Sequence, residues 1–172
     1  NASCTDCNGT PNGDAMVDDC GECNGNNDCL NAMLSFGNID PLGFIEILYN
    51  FSGPVAGFQF DVTGLILTGA SDGAAANSGM TVSVGGNTII GFSLTNSEIE
   101  PGSGILTYLT FDQITENSTT LSLGNFGAVT SATGVIYNVS ASENIIHPID
   151  CLGVFYGSSM IDDCGDCQSS YC

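Results

Sequence analysis

Cysteine is the residue type in this sequence with the widest range of chemistry, and all nine copies lie outside residues 30–150. Two residues separate the cysteines of several pairs, and this CxxC spacing is typical of zinc sites, redox motifs and disulfide frameworks. An N-terminal and a C-terminal cluster contain all of them: Cys4, Cys7, Cys20, Cys23 and Cys29; Cys151, Cys164, Cys167 and Cys172.

The two clusters are copies of one pattern. The spacing C-x12-C-x2-C-x5-C from Cys7 to Cys29 recurs as C-x12-C-x2-C-x4-C from Cys151 to Cys172, and MVDDCGEC at 16–23 matches MIDDCGDC at 160–167. The C-terminal copy lacks the first of the two CxxC pairs of a zinc ribbon, and no βαβ context supports a redox motif. Structural disulfides are therefore favoured over bound zinc.

Each cluster should hold two intrachain disulfides, because a segment of this size buries too little apolar surface to fold unaided. Four cysteines permit three connectivities. We favour Cys7–Cys20, Cys23–Cys29, Cys151–Cys164 and Cys167–Cys172. Cys4 has no counterpart in the C-terminal copy and is the candidate for an interchain bond.

Carboxylates are the second group able to do chemistry, because the chain has 19 Asp and Glu residues and no Lys or Arg, a net charge of −19. They must be hydrated, hydrogen-bonded or bound to metal. The run NGNND at 24–28 alternates side-chain oxygens as calcium loops do, although Asn, Gly and Asp are also ordinary turn residues. The candidate calcium ligands are Asp14, Asp18, Asp19, Glu22, Asn24, Asn26 and Asp28.

The charge and the cysteines together restrict partners and location. A strongly negative chain repels nucleic acid and anionic lipid, and no apolar run approaches the length of a membrane span. A high cysteine content indicates an oxidising compartment, so the protein is expected outside a cell or on its surface. N-linked glycans are expected at the N-x-S/T sequons: Asn1, Asn8, Asn50, Asn117 and Asn138.

Residues 31–148 contain no cysteine and read as β-strands. Apolar residues alternate with others from Ile45 to Phe51 and from Phe58 to Val62, and turn clusters rich in Gly, Ser and Asn separate such runs. The sequence predicts an all-β antiparallel sandwich with small loop modules at both ends: an N-terminal module (1–30), a sandwich (31–148) and a C-terminal module (149–172). Only SDGAAANSG at 71–79 suits a short helix. The predicted core includes Phe58, Phe60, Ile105, Leu109 and Phe111.

Two resemblances add to this interpretation. The DDCGEC and DDCGDC units resemble the DxCGxC repeats of large secreted and cell-surface proteins of aquatic microbes. The runs VAGFQFD at 55–61 and GILTYLTF at 104–111 are similar to strands of cohesin-like extracellular sandwiches. The cohesin resemblance implies a jelly-roll of about nine strands used for protein–protein or cell-surface assembly.

The sequence contains few of the residues that catalysis commonly requires. The single His147 has no evident nucleophile near it, and a chain without Lys or Arg lacks the usual groups that stabilise an oxyanion or phosphate. We expect a non-enzymatic structural subunit that polymerises head to tail. Alternatives are a cohesin-like adhesion module of a larger surface protein, or a carbohydrate-binding module that contacts polysaccharide through Tyr49, Tyr108 and Tyr137.

An apolar cluster in the C-terminal module is the candidate interface for polymerisation. LGVFYGSS at 152–159 replaces the polar NGTPNGDA of the N-terminal copy. Exposed apolar patches commonly mark interaction sites, although these side chains could instead fold back onto their own sandwich. The predicted interface residues are Leu152, Val154, Phe155 and Tyr156.

Overall fold

The computed structural model of the protein describes residues 4–168. Within these residues the chain forms thirteen strands and one short helix. The strands are β1 Asn31–Asp40, β2 Phe44–Phe51, β3 Gly57–Thr63, β4 Leu65–Ser71, β5 Thr81–Gly85, β6 Thr88–Phe92, β7 Gly102–Ile114, β8 Ser118–Ser122, β9 Ala128–Thr130, β10 Asn138–Ser140, β11 Ser142–Ile146, β12 Met160–Ile161 and β13 Cys167–Gln168; the helix is α1 Gly73–Asn77.

Two sheets stack face to face as a sandwich. One has the order β10-β1-β2-β7-β4, and the other has the order β11-β8-β3-β6-β5, with β9 also paired to β3. All of these pairings are antiparallel except that of β1 with β10. The predicted all-β antiparallel sandwich is confirmed, and β12 and β13 form a separate ribbon in the C-terminal module.

The core lies between the sheets because alternate side chains of a strand face the same way. On β2, Ile45, Ile47 and Phe51 are buried, and on β3, Phe60 and Val62 are fully enclosed. Burying a side chain of this size stabilises the fold by roughly 1.5–3 kcal/mol. The alternation seen in the sequence therefore positions the core correctly in these two strands.

Four of the five predicted core residues are buried, and the fifth is not. Phe58, Phe60, Leu109 and Phe111 are in the core, whereas Ile105 is only half-buried. The cause is a β-bulge in which Thr107 pairs with Ile47 and Ile105 pairs with Leu48. The extra residue, Leu106, enters the core instead. A bulge bends the strand and interrupts its alternation.

The short helix occurs where the sequence predicts it. α1 spans Gly73–Asn77, and its Ala75 is buried. Gly73 has φ +74°, and a Cβ there would collide with the backbone of Leu106. The position requires glycine for both reasons.

The run from β10 to β11 follows β1 in the same direction. Asn31 of β1 pairs with Asn138 of β10, and further along β1 the Phe36 N–H donates to the carboxylate of Glu143 in β11 over 2.6 Å. The N-terminal module therefore enters the sandwich at the start of β1, and the C-terminal module leaves it after β11. The nine residue steps from 138 to 147 span about 30 Å of extended chain. The two modules attach at opposite ends of the sandwich.

Candidate functional site: the two cysteine modules

Each module contains two copies of one loop, which we call the Asp loop, built around a single aspartate. These aspartates are Asp6 and Asp18 in the N-terminal module and Asp150 and Asp162 in the C-terminal module, and the members of each pair are twelve residues apart. The spacing of the cysteines conceals this shorter repeat, because only some cysteines recur at the same loop position.

The carboxylate of each loop accepts hydrogen bonds from its own backbone. In the second loop, Asp18 Oδ1 accepts the N–H groups of Cys20 (2.9 Å) and Glu22 (2.8 Å), and its Oδ2 accepts that of Asn27 (2.9 Å). The first and third loops repeat all three bonds, at the second, fourth and ninth residues after Asp6 and Asp150. Asp162 repeats the first two and accepts the Gln168 side-chain amide as the third.

These bonds stabilise the ionised form of the carboxylate and lower its pKa. The pKa of Asp18 lies below its ordinary value chiefly because of the Asn27 N–H. The Val154 N–H has the leading effect on the pKa of Asp150, and the Asp166 N–H on that of Asp162. Each lowered pKa indicates that its loop is most stable when the aspartate is charged.

Two glycines make the loop possible. The third residue after each aspartate is a glycine with φ between +81° and +88°, a conformation that is strained for other residues: Gly9, Gly21, Gly153 and Gly165. Seven residues after the aspartate of the first three loops comes a second glycine, where a Cβ would collide with the carboxylate: Gly13, Gly25 and Gly157. The pattern D-x2-G-x3-G thus has a structural cause at each position.

One disulfide in each module joins its two loops, and this corrects the expected connectivity. Cys7 bonds to Cys23 and Cys151 bonds to Cys167, each pair sixteen residues apart, while Cys20 bonds to Cys29. The predicted Cys7–Cys20, Cys23–Cys29 and Cys151–Cys164 bonds are wrong, because the turn at the Asp loop brings the second member of each CxxC pair, not the first, against the preceding loop. The predicted Cys167–Cys172 bond is wrong because Cys167 is already bonded.

Cys4 and Cys164 are exposed and have no disulfide partner within residues 4–168. Cys172 lies outside the described residues. Three disulfides are typical of extracellular and cell-surface proteins, in agreement with the predicted location. They also consume Cys7, Cys20 and Cys23, the thiolates on which a zinc ribbon in the N-terminal module would depend.

The predicted calcium ligands are not gathered around a common point. Of the seven candidates, Asp18 is half-buried and committed to backbone donors, and the other six side chains are exposed. Between residues 4 and 168 no three His, Cys, Asp or Glu side chains are grouped to hold a metal ion. Calcium binding in the N-terminal module stays a prediction, but Asp18 is not available as one of its ligands.

His147 docks the C-terminal module onto the sandwich. It is 2% exposed, its Nε2 hydrogen-bonds to Thr119 Oγ1 of β8 (2.7 Å), and its Nδ1 hydrogen-bonds to Tyr156 Oη (2.9 Å). The Phe155 ring meets the imidazole edge to face at 6.1 Å. Burial lowers the pKa of His147. Because both ring nitrogens are hydrogen-bonded, this histidine has a structural role in joining the C-terminal module to the sandwich, and it has no free nitrogen for proton transfer.

The predicted interface cluster is therefore divided. Phe155 packs against the core and Tyr156 binds His147, so these two fold back onto their own sandwich. Leu152 and Val154 remain 56% and 54% exposed. The residues before the second aspartate of each module add further exposed apolar side chains at equivalent positions: Met16 and Val17 in one module, Met160 and Ile161 in the other.

The sequons Asn8, Asn50, Asn117 and Asn138 are all exposed, and Asn1 lies outside the described residues. Asn50 and Asn138 both line a shallow groove of about 240 Å³ on the outer face of β10-β1-β2. Their outward orientation, predicted from strand alternation, is confirmed. Glycosylation itself stays a prediction.

Two of the three tyrosines proposed for sugar stacking, Tyr137 and Tyr49, are engaged within the sandwich, and Tyr108 is half-buried. Tyr137 is buried and donates its hydroxyl to the Pro54 carbonyl (2.8 Å), and Tyr49 packs against Phe51 with ring centroids 4.7 Å apart. The outer face of β6 instead exposes two apolar side chains that sequence reasoning missed, Ile90 (41%) and Phe92 (38%). They alternate with the buried Ile89 and the small Gly91, a pattern that could have revealed them.

Comparison with known proteins gives structural likeness alone. No protein-family model matches the sequence, and no curated protein matches it. A chain of the CaDoc0917–CaCohA2 complex is 18% identical with a TM-score of 0.47, over 64% of this chain and 95% of that chain. A non-cellulosomal cohesin from the hyperthermophilic archaeon Archaeoglobus fulgidus is 20% identical with a TM-score of 0.46, over 64% of this chain and 85% of that one. No helix within residues 4–168 is long and apolar enough to cross a bilayer.

Proposed function

We propose that this chain is an extracellular, non-enzymatic structural subunit whose copies associate end to end. The observation that carries the proposal is the placement of the modules at opposite ends of the sandwich, where β1 begins and β11 ends. A contact between unlike ends is heterologous, and such a contact produces an open filament when its rotation does not close a ring.

The C-terminal module supplies the apolar part of the contact. Leu152 and Val154 project from its first Asp loop, and Met160 and Ile161 precede its second. A module without a core of its own cannot cover these side chains, and a neighbouring copy can. The partner surface is the N-terminal module or the adjacent end of the sandwich in the next copy.

Charge opposes this association and predicts its salt dependence. Every copy has a net charge of −19 with no Lys or Arg, so two copies repel at long range. Salt reduces repulsion between exposed charges, whose Debye length is about 10 Å at 0.1 M. Assembly should therefore strengthen as ionic strength rises, and calcium should strengthen it further than sodium at equal ionic strength.

Cys4 offers a covalent supplement to the same contact. It is exposed in the N-terminal module and has no disulfide partner among residues 4–168. A bond between this thiol and a neighbour would fix the contact once formed.

N-linked glycans at Asn8, Asn50, Asn117 and Asn138 are also part of the proposal. Removal of the glycans with a glycan-cleaving amidase should lower the intact mass of the protein.

The test is a pair of double variants examined by sedimentation and negative-stain imaging in moderate salt. Leu152→Asp with Val154→Asp should abolish the assemblies. Ile66→Asp with Ile90→Asp is the matched control, because these side chains lie within strands β4 and β6, outside the two modules, are 47% and 41% exposed, and the added charge is the same. Equal loss of assemblies in both double variants would mean that added charge, and not the site, causes the effect. Unchanged assemblies in Leu152→Asp with Val154→Asp would refute the proposed interface.

A second candidate is a protein-binding adhesion module that uses the outer face of β6. Ile90 and Phe92 are the observation that favours it. Ile90→Asp with Phe92→Asp should leave end-to-end assembly intact if the first proposal is correct. Loss of assembly in this variant, with none in the Leu152 and Val154 variant, would favour the second.

A further inference from the structure

We propose that Cys164 forms a disulfide with Cys172, which leaves Cys4 as the single cysteine without an intrachain partner. Cys164 is exposed and has no disulfide partner among residues 4–168. It belongs to the fourth Asp loop, and the second Asp loop shows how a cysteine at that position is used.

Cys164 and Cys20 occupy the same position. Each is the second residue after its aspartate, each donates its backbone N–H to that carboxylate over 2.9 Å, and each precedes a glycine of positive φ. Cys20 bonds to Cys29, nine residues further on, with a Cα–Cα distance of 5.8 Å. The only cysteine that follows Cys164 at a comparable spacing is Cys172, eight residues further on.

The other possible partners are excluded by bonds and by distance. Cys167 already bonds to Cys151, as the equivalent Cys23 bonds to Cys7. Cys4 belongs to the module at the opposite end of the sandwich, about 30 Å of extended strand away, whereas bonded cysteines have Cα atoms within about 7 Å. Repeat equivalence therefore assigns Cys172 as the partner.

Formation of this bond is a thiol–disulfide exchange. The thiolate of Cys164 or Cys172 attacks an external disulfide, either oxidised glutathione or the oxidised form of a thiol–disulfide oxidoreductase. The second thiolate then displaces the mixed disulfide. Cys164 and Cys172 together lose two protons and two electrons, and the external disulfide is reduced to two thiols.

Alkylation of the native and then the denatured full chain, secreted from an oxidising compartment, tests the assignment. The chain has no Lys or Arg for trypsin, so a protease that cleaves before aspartate should be used, and it separates Cys164 from Cys167 at Asp166. The monomeric fraction of the parent chain should show one alkylated cysteine, Cys4, and peptides containing Cys164 should remain linked until reduction.

Variants separate the possible connectivities. Cys172→Ser should free Cys164 for alkylation and give two labelled cysteines per chain, whereas Cys4→Ser should give none. Cys29→Ser is the matched control and should expose Cys20 in the same way. Alkylation of Cys164 in the parent chain, a peptide linking Cys164 to Cys4, or a Cys164 that stays blocked in Cys172→Ser would each overturn the proposal.

Discussion

The sandwich and the cysteine modules hold their chains in place by different means. Within residues 4–168, the 23 buried hydrophobic residues all lie between Leu30 and Ala141. Among the described residues of the modules, Leu30 at the boundary with β1 is buried in this core, and Cys20 and Phe155 pack against it while only partly buried. Disulfides and charged carboxylates replace a core in segments too short to build one. Stability in the two regions should therefore respond to different perturbations.

The largest expected effect is on the sandwich. Phe60 is fully buried between the sheets, and Phe60→Ala should lower the free energy of unfolding by about 3–5 kcal/mol, through lost burial and the cavity left behind. Chemical denaturation followed by circular dichroism measures it. Phe126→Ala, at a side chain that is 83% exposed, is the control and should change stability by less than about 0.5 kcal/mol. A comparable loss in both would mean that Phe60 is not part of a packed core.

Removing a disulfide should destabilise a module and spare the sandwich. Cys151→Ser with Cys167→Ser releases a sixteen-residue closure, which the chain-entropy model values at about 3 kcal/mol. Amide exchange around residues 150–161 should accelerate while the strands β3 and β7 keep their protection. A drop in the unfolding midpoint of the sandwich equal to that of Phe60→Ala would show that the two regions are not separately stabilised.

Two adjacent aspartates distinguish a loop carboxylate from a solvated one. Asp18→Asn should speed amide exchange at Cys20, Glu22 and Asn27, because one of the two acceptor oxygens is replaced by an NH2 group that cannot accept and the remaining oxygen is uncharged and a weaker acceptor. Asp19→Asn has the same change of charge and should leave those amides protected. Hydrogen exchange by mass spectrometry measures both, and equal acceleration would contradict the role given to Asp18.

The same carboxylate should make the modules acid-sensitive. The folded pKa of Asp18 is lower than its unfolded value, so its contribution is complete above the unfolded pKa and is lost as pH falls through the folded one, below about pH 4. Amide protection at Cys20 and Glu22 should fall in that range, earlier than protection in β3. If amide protection were lost at the same pH in the module and in the sandwich, the two regions would not differ in acid sensitivity.

The smallest effect concerns docking of the C-terminal module. Burial lowers the pKa of His147 in the docked state, so undocking is accompanied by proton uptake once the pH falls below about 6.5. Docking is complete above that pH and weakens below it. Exchange at Tyr156 should therefore be faster at pH 5 than at pH 7, after correction for intrinsic rates. His147→Gln should remove the difference, and its persistence would assign it to another group.

The sequence predicted the structure of the sandwich and that of the modules to different extents. Period-two alternation located β2 and β3, but β1 was not singled out, because the outward-facing Met33 blurs its alternation and a register shift between Phe36 and Ile39 interrupts the second half. Ile105 was misplaced because a bulge is a property of two paired strands, not of one. In the modules, Asp18 and Asp19 have the same chemistry, and loop position alone separates them. The D-x2-G-x3-G repeat was visible in the sequence, whereas the disulfide partners depended on how the loops stack.

The parallel pairing of β1 with β10 has a mechanical consequence. Tension applied through the modules would pull β1 toward the end where the chain enters and β11 toward the end where it leaves. The hydrogen bonds between β1 and β10, at Asn31–Asn138 through Met33–Ser140, would then be loaded together in shear. Strands loaded in shear share the force among all their bonds, whereas strands that peel apart break them singly. A subunit pulled end to end along a strand would in this way resist extension through the three residue pairs that join β1 to β10.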